Sequence, residues 1–214
     1  MRLTRARLNI GAPFGVSRSE PVPFVSRRKV FLLWNEGDVL TEKATIMDDK
    51  AMSRAVQRIA FEIVERNRGA DDLCVVGVLR RGAVLADIIA GKIEEIEGKT
   101  VDVGYLDITK YRDDIKDKDE KPDLSDISFE IEGKKIIIVD DVLYTGRSAR
   151  AAIDAIMSRG RPRLIQLAVL VDRGHRELPV RPDYIGKNVP TSASEKVKVE
   201  VIKYDGINRV AIYE

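Results

Sequence analysis

Residues 136–148 read IIIVDDVLYTGRS. The run Ile136, Ile137, Ile138, Val139 has the β-branched, uninterrupted character of a strand buried on both faces. It closes on two adjacent carboxylates, Asp140 and Asp141, and leads into a short loop carrying Thr145, Gly146, Arg147 and Ser148. The next stretch, SARAAIDAIMSRG, is rich in Ala and apolar at helical spacing, and Gly160 and Pro162 stop it. The order is therefore strand, acid pair, hydroxyl- and Gly-bearing loop, helix.

In an open α/β sheet, ligands sit beyond the carboxyl ends of the strands. The helix that follows offers unpaired N–H groups and a partial positive charge, both suited to a phosphate. Thr145 and Ser148 add hydroxyl donors, and Gly146 lets the backbone come close. Two carboxylates just before this loop would repel a bare phosphate. They make sense facing vicinal hydroxyls of the same ligand, or a Mg²⁺ held through water. A sugar phosphate meets both demands, its phosphate on the loop and its diol on the acids.

The chain has 214 residues, 44% hydrophobic and 34% charged, which suits one α/β domain with a substantial core. One Cys, Cys74, lies in the apolar run LCVVGV and reads as a buried structural residue; it can form no disulfide framework or thiol–metal cluster. The lone His175 excludes a His-based metal cage. No apolar run approaches the ~18 residues of a membrane span, so the expected setting is the cytoplasm. The net charge of +2 is uneven. Residues 1–39 hold seven basic side chains (Arg2, Arg5, Arg7, Arg18, Arg27, Arg28, Lys29) against three acids (Glu20, Glu36, Asp38), which is +4 and leaves −2 for the remainder. A nucleic-acid site must then be a local patch rather than a global basic field.

Residues 1–39 sustain no period and are expected to be a poorly ordered basic extension preceding a domain at 40–214. The spacing predicts a helix over 48–68, with Met52, Ala55, Val56, Ile59, Ala60, Ile63 and Val64 on its apolar stripe and Arg54 and Arg58 on another side. Strands are predicted at 73–78, 101–108 and 164–171, near 197–203 and at 208–213, with a turn at Arg80–Gly82 and a helix over 83–97. The stretch 109–128 is long, charged and nearly free of apolar residues, as functional loops are. Strand and helix alternate, which predicts a largely parallel sheet with helices on both faces.

The 136–148 segment resembles the phosphoribosyl pyrophosphate (PRPP) signature of the type I phosphoribosyltransferases. Three segments extend the likeness: VGYLDITKYRDD (103–114), VDDVLYTGRSARAAIDA (139–155) and QLAVLVDRGHRELPVRPDYIGKNVPTSASEKV (166–197). They resemble the bacterial pyrimidine operon attenuator family PyrR, whose members are also uracil phosphoribosyltransferases. The likeness runs from about Lys43 to the C-terminus. It implies a type I phosphoribosyltransferase fold, α/β with a small hood and a mobile flap loop at 109–128. The implied ligands are PRPP with Mg²⁺, uracil, and UMP or UTP; the implied partner is the pyrimidine operon leader mRNA hairpin, and the implied assembly is a homodimer or a higher homo-oligomer.

Residue by residue, the resemblance places Arg80, Arg81, Gly82, Tyr111, Arg112, Asp140, Asp141, Val142, Leu143, Tyr144, Thr145, Gly146, Arg147 and Ser148 around PRPP. Asp140, Asp141, Arg112 and Arg81 are expected to carry the catalysis, with Mg²⁺ near the two acids through PRPP and water rather than on a direct protein ligand. Val171, Arg173, Ile185 and Lys187 are expected at the base. Arg54, Gln57, Arg58, Phe61, Arg66, Arg176, Arg181 and Lys187 are expected on the RNA surface. The chain departs from the family pattern in two places. Leu79-Arg80-Arg81-Gly82 stands where Lys-Thr-Arg-Gly is usual, and Gln57 and Phe61 stand where Thr and His are usual.

Overall fold

The computed structural model describes residues 40–116 and 121–214; the expected basic extension at 1–39 lies outside the described residues. The signature strand, β4 (Lys135–Leu143), is the middle of a five-stranded parallel sheet ordered β3-β2-β4-β5-β6. Its neighbours are β2 (Leu73–Val78) and β5 (Leu164–Asp172), with β3 (Asp102–Leu106) and β6 (Tyr184–Asn188) at the edges.

The two-residue period of the strands sorts their side chains into two cores. Val75, Ile137, Val139, Ala168 and Leu170 face helices α1 (Asp49–Asn67) and α2 (Arg81–Glu97). Val76, Ile136, Ile138, Leu167 and Val169 face α3 (Arg147–Met157). Both faces are covered, so the central strands read as continuous apolar runs. Cys74 is buried in the second core.

Helix α1 begins where the Asp48 carboxylate accepts from Ala51 N at 2.7 Å, and ends at Arg68 in the left-handed conformation. Its inner stripe is Met52, Ala55, Val56, Ile59, Ala60 and Ile63, as the spacing predicts.

A second, antiparallel sheet of order β1-β8-β7 forms the hood. It comprises β1 (Glu42–Met47), β7 (Lys196–Glu200) and β8 (Arg209–Tyr213), with the short helix α4 (Ile202–Asp205) between the last two. Val199, Val201, Val210 and Ile212 join the α1–α2 side of the core. The buried Glu200 is paired with Arg209, so the desolvated carboxylate keeps a partner.

Three elements differ from what the sequence predicts, and two strands are not predicted. Strand β4 runs on through Asp140 and Asp141 to Leu143, because Val142 and Leu143 still pair with Val171 and Asp172. Helix α2 begins at Arg81, not after Gly82. Residues 202–205 form a helical turn where a strand is predicted. Strands β1 and β6 carry too few buried residues to announce themselves, since β1 is exposed along its first four.

The early start of α2 depends on Gly82. A Cβ there would sit 2.5 Å from Val139 O, which is backbone and cannot turn aside. Gly82→Ala is expected to cost about 3 kcal/mol or more of stability through overpacking, measured as a lowered urea midpoint at unchanged slope.

Candidate functional site

The acid pair lies within β4, near its carboxyl end. Asp141 N donates to Asp140 Oδ1 at 2.9 Å, and Val142 N donates to Asp141 Oδ1 at 2.9 Å. Each carboxylate thus has a backbone donor, yet both are held above the usual carboxylate range. For Asp140 the cause is burial, reinforced by the charge of Asp141. For Asp141 it is burial, partly offset by the nearby Arg81 charge. The charges of Arg81 and Arg112 offset this cost only in part.

Beyond them the chain turns through Gly146 at φ +93°, a conformation that favours glycine. A Cβ there would also press on Leu178 Cβ at 3.3 Å. Helix α3 starts with no side-chain cap and no acid in its first turn, so its leading N–H groups keep their affinity for an anion.

The residues 109–114 lie against this loop. Arg112 Nη1 donates to Ser148 Oγ at 2.8 Å, and its other N–H groups pair with Asp114. Arg147 Nη1 reaches Asp113 at 2.6 Å, and Arg150 Nη2 donates to Tyr111 O at 2.8 Å. The Tyr111 ring points elsewhere: its hydroxyl meets Ser158 Oγ at 2.5 Å, at the far end of α3. Tyr111 thus meets α3 twice, by its carbonyl at Arg150 and by its hydroxyl at Ser158. Residues 117–120 of the expected flap lie outside the described residues.

At the next strand end, Arg80 is exposed, Gly82 is buried, and the Leu79–Arg80 peptide bond is cis. Arg81 turns to the hood and pairs with Asp205, a residue that sequence reasoning did not single out; the isolated KYDG turn gave no signal for it.

Val171 is fully buried in β5, and Arg173, just past it, is buried too. Arg173 donates to Thr191 Oγ1 and Ser192 O, each at 3.2 Å, and its guanidinium lies 4.1 Å from the Tyr144 ring centre. Thr191 and Ser192 were likewise not singled out from the sequence. Ile185 is half-buried, and Lys187 sends its Nζ to Ile46 O of β1 at 3.1 Å, tying β6 to the hood.

The basic candidates divide. Arg54, Gln57, Arg58 and Phe61 share the outer face of α1 and, with Ser53, Glu62 and Glu65, line a shallow groove of about 390 Å³. Phe61 is 52% exposed there. Arg58 also donates to Ile185 O at 2.9 Å and Gly186 O at 2.7 Å, and Arg66 pairs with Asp183 at 2.9 Å. The α1 face and the 181–188 stretch are therefore adjacent, and Arg181 is exposed on that stretch.

Arg176 does not belong with this open set. Its Nη1 donates to Tyr144 O at 2.6 Å, Gly174 O at 3.1 Å and Leu143 O at 3.3 Å; its Nε donates to Val180 O at 3.0 Å. Its Nη2 pairs with Asp172 at 2.6 Å. Such a side chain clamps the 174–180 turn behind the 144–148 loop and has little left to offer an outside acceptor. Glu177 N and Leu178 N add bonds to Thr145 O at 3.0 Å each. The sequence places Arg176 among basic residues, but its acceptors are backbone carbonyls that no spacing reveals.

The Phosphoribosyl transferase domain family matches residues 43–205. Among similar curated proteins are "Bifunctional protein PyrR" of Acetivibrio thermocellus, 58% identical over 81% of this chain and 95% of its own, and that of Clostridium acetobutylicum, 58% identical over 80% and 98%. The protein of the same name from Bacillus cereus is 54% identical over 82% and 99%. Among solved structures, a hypoxanthine-guanine phosphoribosyltransferase from Bacillus anthracis superposes with a TM-score of 0.62 at 19% identity, over 82% of this chain and 99% of its own. The hypoxanthine phosphoribosyltransferase of Trypanosoma cruzi gives 0.63 at 16%, over 80% and 96%. At such identities these structures speak for the fold alone.

The raised carboxyls give a pH prediction. In the range between the ordinary carboxylate value and the raised one, the folded protein binds more protons than the unfolded chain, so stability falls as pH rises through that range. Asp140→Asn removes the burdened charge. It is expected to raise Tm at pH 7 by about 2–4 °C for each kcal/mol relieved. The gain should vanish below about pH 4, where the wild-type acids are protonated in both states. Thermal unfolding across pH checks this.

Proposed function

The chain belongs to the phosphoribosyl transferase family and, within it, to the bifunctional PyrR proteins, and from that premise we propose that it makes UMP and pyrophosphate from uracil and PRPP and, with a uridine nucleotide in the same site, binds the pyrimidine operon leader hairpin to attenuate transcription. The observation that carries the catalytic half is the seat at the end of β4. There a desolvated acid pair, a glycine-turned loop and an uncapped helix start follow one another within nine residues, Asp140 to Ser148.

On this reading the loop from Tyr144 to Ser148, with Val142 and Leu143 behind it, holds the 5′-phosphate by backbone N–H groups and the hydroxyls of Thr145 and Ser148. Asp140 and Asp141 accept from the ribose diol. Arg112, carried over the loop by the flap, and Arg81, beside the strand end, hold the pyrophosphate by charge-assisted hydrogen bonds. As the bond from C1′ to pyrophosphate breaks, positive charge grows on the ribose ring, and the two carboxylates are placed to stabilise it. The flap keeps water from the ring. Uracil N1 forms the new bond at C1′ as its proton passes to the leaving pyrophosphate, its ring held beside Val171, Arg173 and the Ile185–Lys187 stretch.

Mg²⁺ enters with PRPP. The described residues include no group of three or more His, Cys, Asp or Glu that could hold a metal alone, while the acid pair has the charge to bind a hydrated cation through its waters. When bound, the ion neutralises the leaving pyrophosphate.

The RNA half rests on the α1 groove and the stretch beside it. Arg54, Arg58, Arg66, Arg181 and Lys187 supply phosphate contacts, and exposed Phe61 supplies a ring on which an unpaired base can stack. Gln57 sits between them as a hydrogen-bonding side chain. Arg176 contributes through the shape of its turn rather than by contact. The protein works in the cytoplasm, as a homodimer or higher homo-oligomer; no described helix is long and apolar enough to cross a membrane.

Binding of a labelled leader hairpin, with and without UMP at stated salt, tests this. Tighter, sequence-specific binding with UMP is expected, and Arg54→Gln is expected to weaken binding uniformly while reducing the salt slope by about 0.7. Binding that is no tighter than to random RNA and indifferent to UMP would leave a salvage enzyme with a basic patch.

A further inference from the structure

Arg81 emerges from the first turn of α2, where Gly82 packs directly on the backbone of β4. Its guanidinium is held from the hood by a two-point contact: Nε donates to Asp205 Oδ2 at 3.2 Å and Nη2 donates to Asp205 Oδ1 at 2.8 Å. Asp205 is itself fixed. Its Oδ2 accepts from Val201 N at 2.9 Å, its own N–H donates to Val201 O at 2.8 Å, and Gly206 closes the turn at φ +72°. Both side chains are largely buried, 26% and 16% exposed, so the pair is shielded from the solvent that makes surface ion pairs weak.

A carboxylate that takes the Nε–Nη2 edge of an arginine fixes the plane of the whole fork. Among the described residues Nη1 donates to no protein acceptor, and the Arg81 charge is felt at Asp141. We infer that Asp205 is a positioning residue for the phosphoribosyl transfer: it holds one edge of Arg81 so that the opposite edge is set, before ligand arrives, to receive the pyrophosphate of PRPP. This rests on the reading of Arg81 as a pyrophosphate ligand. It gives the hood a part in binding the leaving group, because Asp205 belongs to the β7–β8 connection.

PRPP carries a pyrophosphate and UMP does not, which separates positioning from mere support. Asp205→Asn is expected to raise the Kd for PRPP and for pyrophosphate about tenfold, the scale of one weakened charge-assisted contact, and to leave the Kd for UMP unchanged. Arg81→Lys is expected to do the same, and the double variant to be no worse than either single one. Equal weakening of PRPP and UMP would reduce Asp205 to a structural tie and overturn the inference. Unchanged PRPP binding would overturn it too, and tighter binding would mean that Asp205 withholds Arg81 instead. Wild-type protein that binds UMP and uracil but not PRPP would instead overturn the reading of the site itself.

Discussion

The molecule is organised around a costly placement: two adjacent carboxylates at the end of the most enclosed strand of the sheet. Burial raises the proton affinity of both, and the charge of Asp141 raises that of Asp140 further. A fold keeps such a pair only if the surrounding structure determines it. Here β4 is paired on both sides, and Gly82 brings the start of α2 into contact with Val139 just before the acids. On the proposed reading, the stability forgone there is recovered when a ligand brings hydroxyls and a cation to the pair.

The loop after the acids is held from outside as firmly as from within. The 172–180 segment lies behind it, with the Thr145 carbonyl receiving two backbone donors and the Tyr144 carbonyl receiving Arg176. Arg147 links the first turn of α3 to both Asp113 and Glu177. A glycine-turned loop would otherwise have considerable conformational freedom. These ties reduce the ordering that a ligand must impose, which is the physical content of preorganisation.

The sequence made the parallel sheet legible because its central strands are uniformly apolar and its helices carry clear stripes. Leu73–Val78 was readable to the residue, and Asp48 signalled the start of α1. Elements whose stability comes from pairing rather than burial were not legible. β1 has exposed side chains and is held by β8, while β6 is short and lies at the sheet edge. The order of strand, acid pair, glycine turn and helix from Asp140 to Ser148 was readable, because it is a local motif. The arginines were not. Arg54, Arg81 and Arg176 look alike in sequence, yet one lines an open groove, one is held by a carboxylate of the β7–β8 connection, and one is enclosed by carbonyls. An arginine's role is set by its acceptors, and those arrive from residues far away in the chain.

The same distribution of arginines bears on how one site can inform another. The strand β5 and its continuation carry the buried Val171 and Arg173, then the 174–180 turn bonded to the phosphate loop, then exposed Arg181 and the β6 stretch against which Arg58 and Arg66 of α1 rest. On the proposed reading, a nucleotide that orders the phosphate loop also orders the turn bonded to it. That turn leads within a few residues to the basic face beside α1. Coupling then needs no large rearrangement: a ligand that narrows the motion of the turn lowers the ordering cost for a second ligand gripping its far side. By reciprocity, RNA on that face must favour the nucleotide by the same free energy. The clamp by Arg176 is what makes the route physical, since it ties carbonyls on both sides of the turn to one rigid guanidinium.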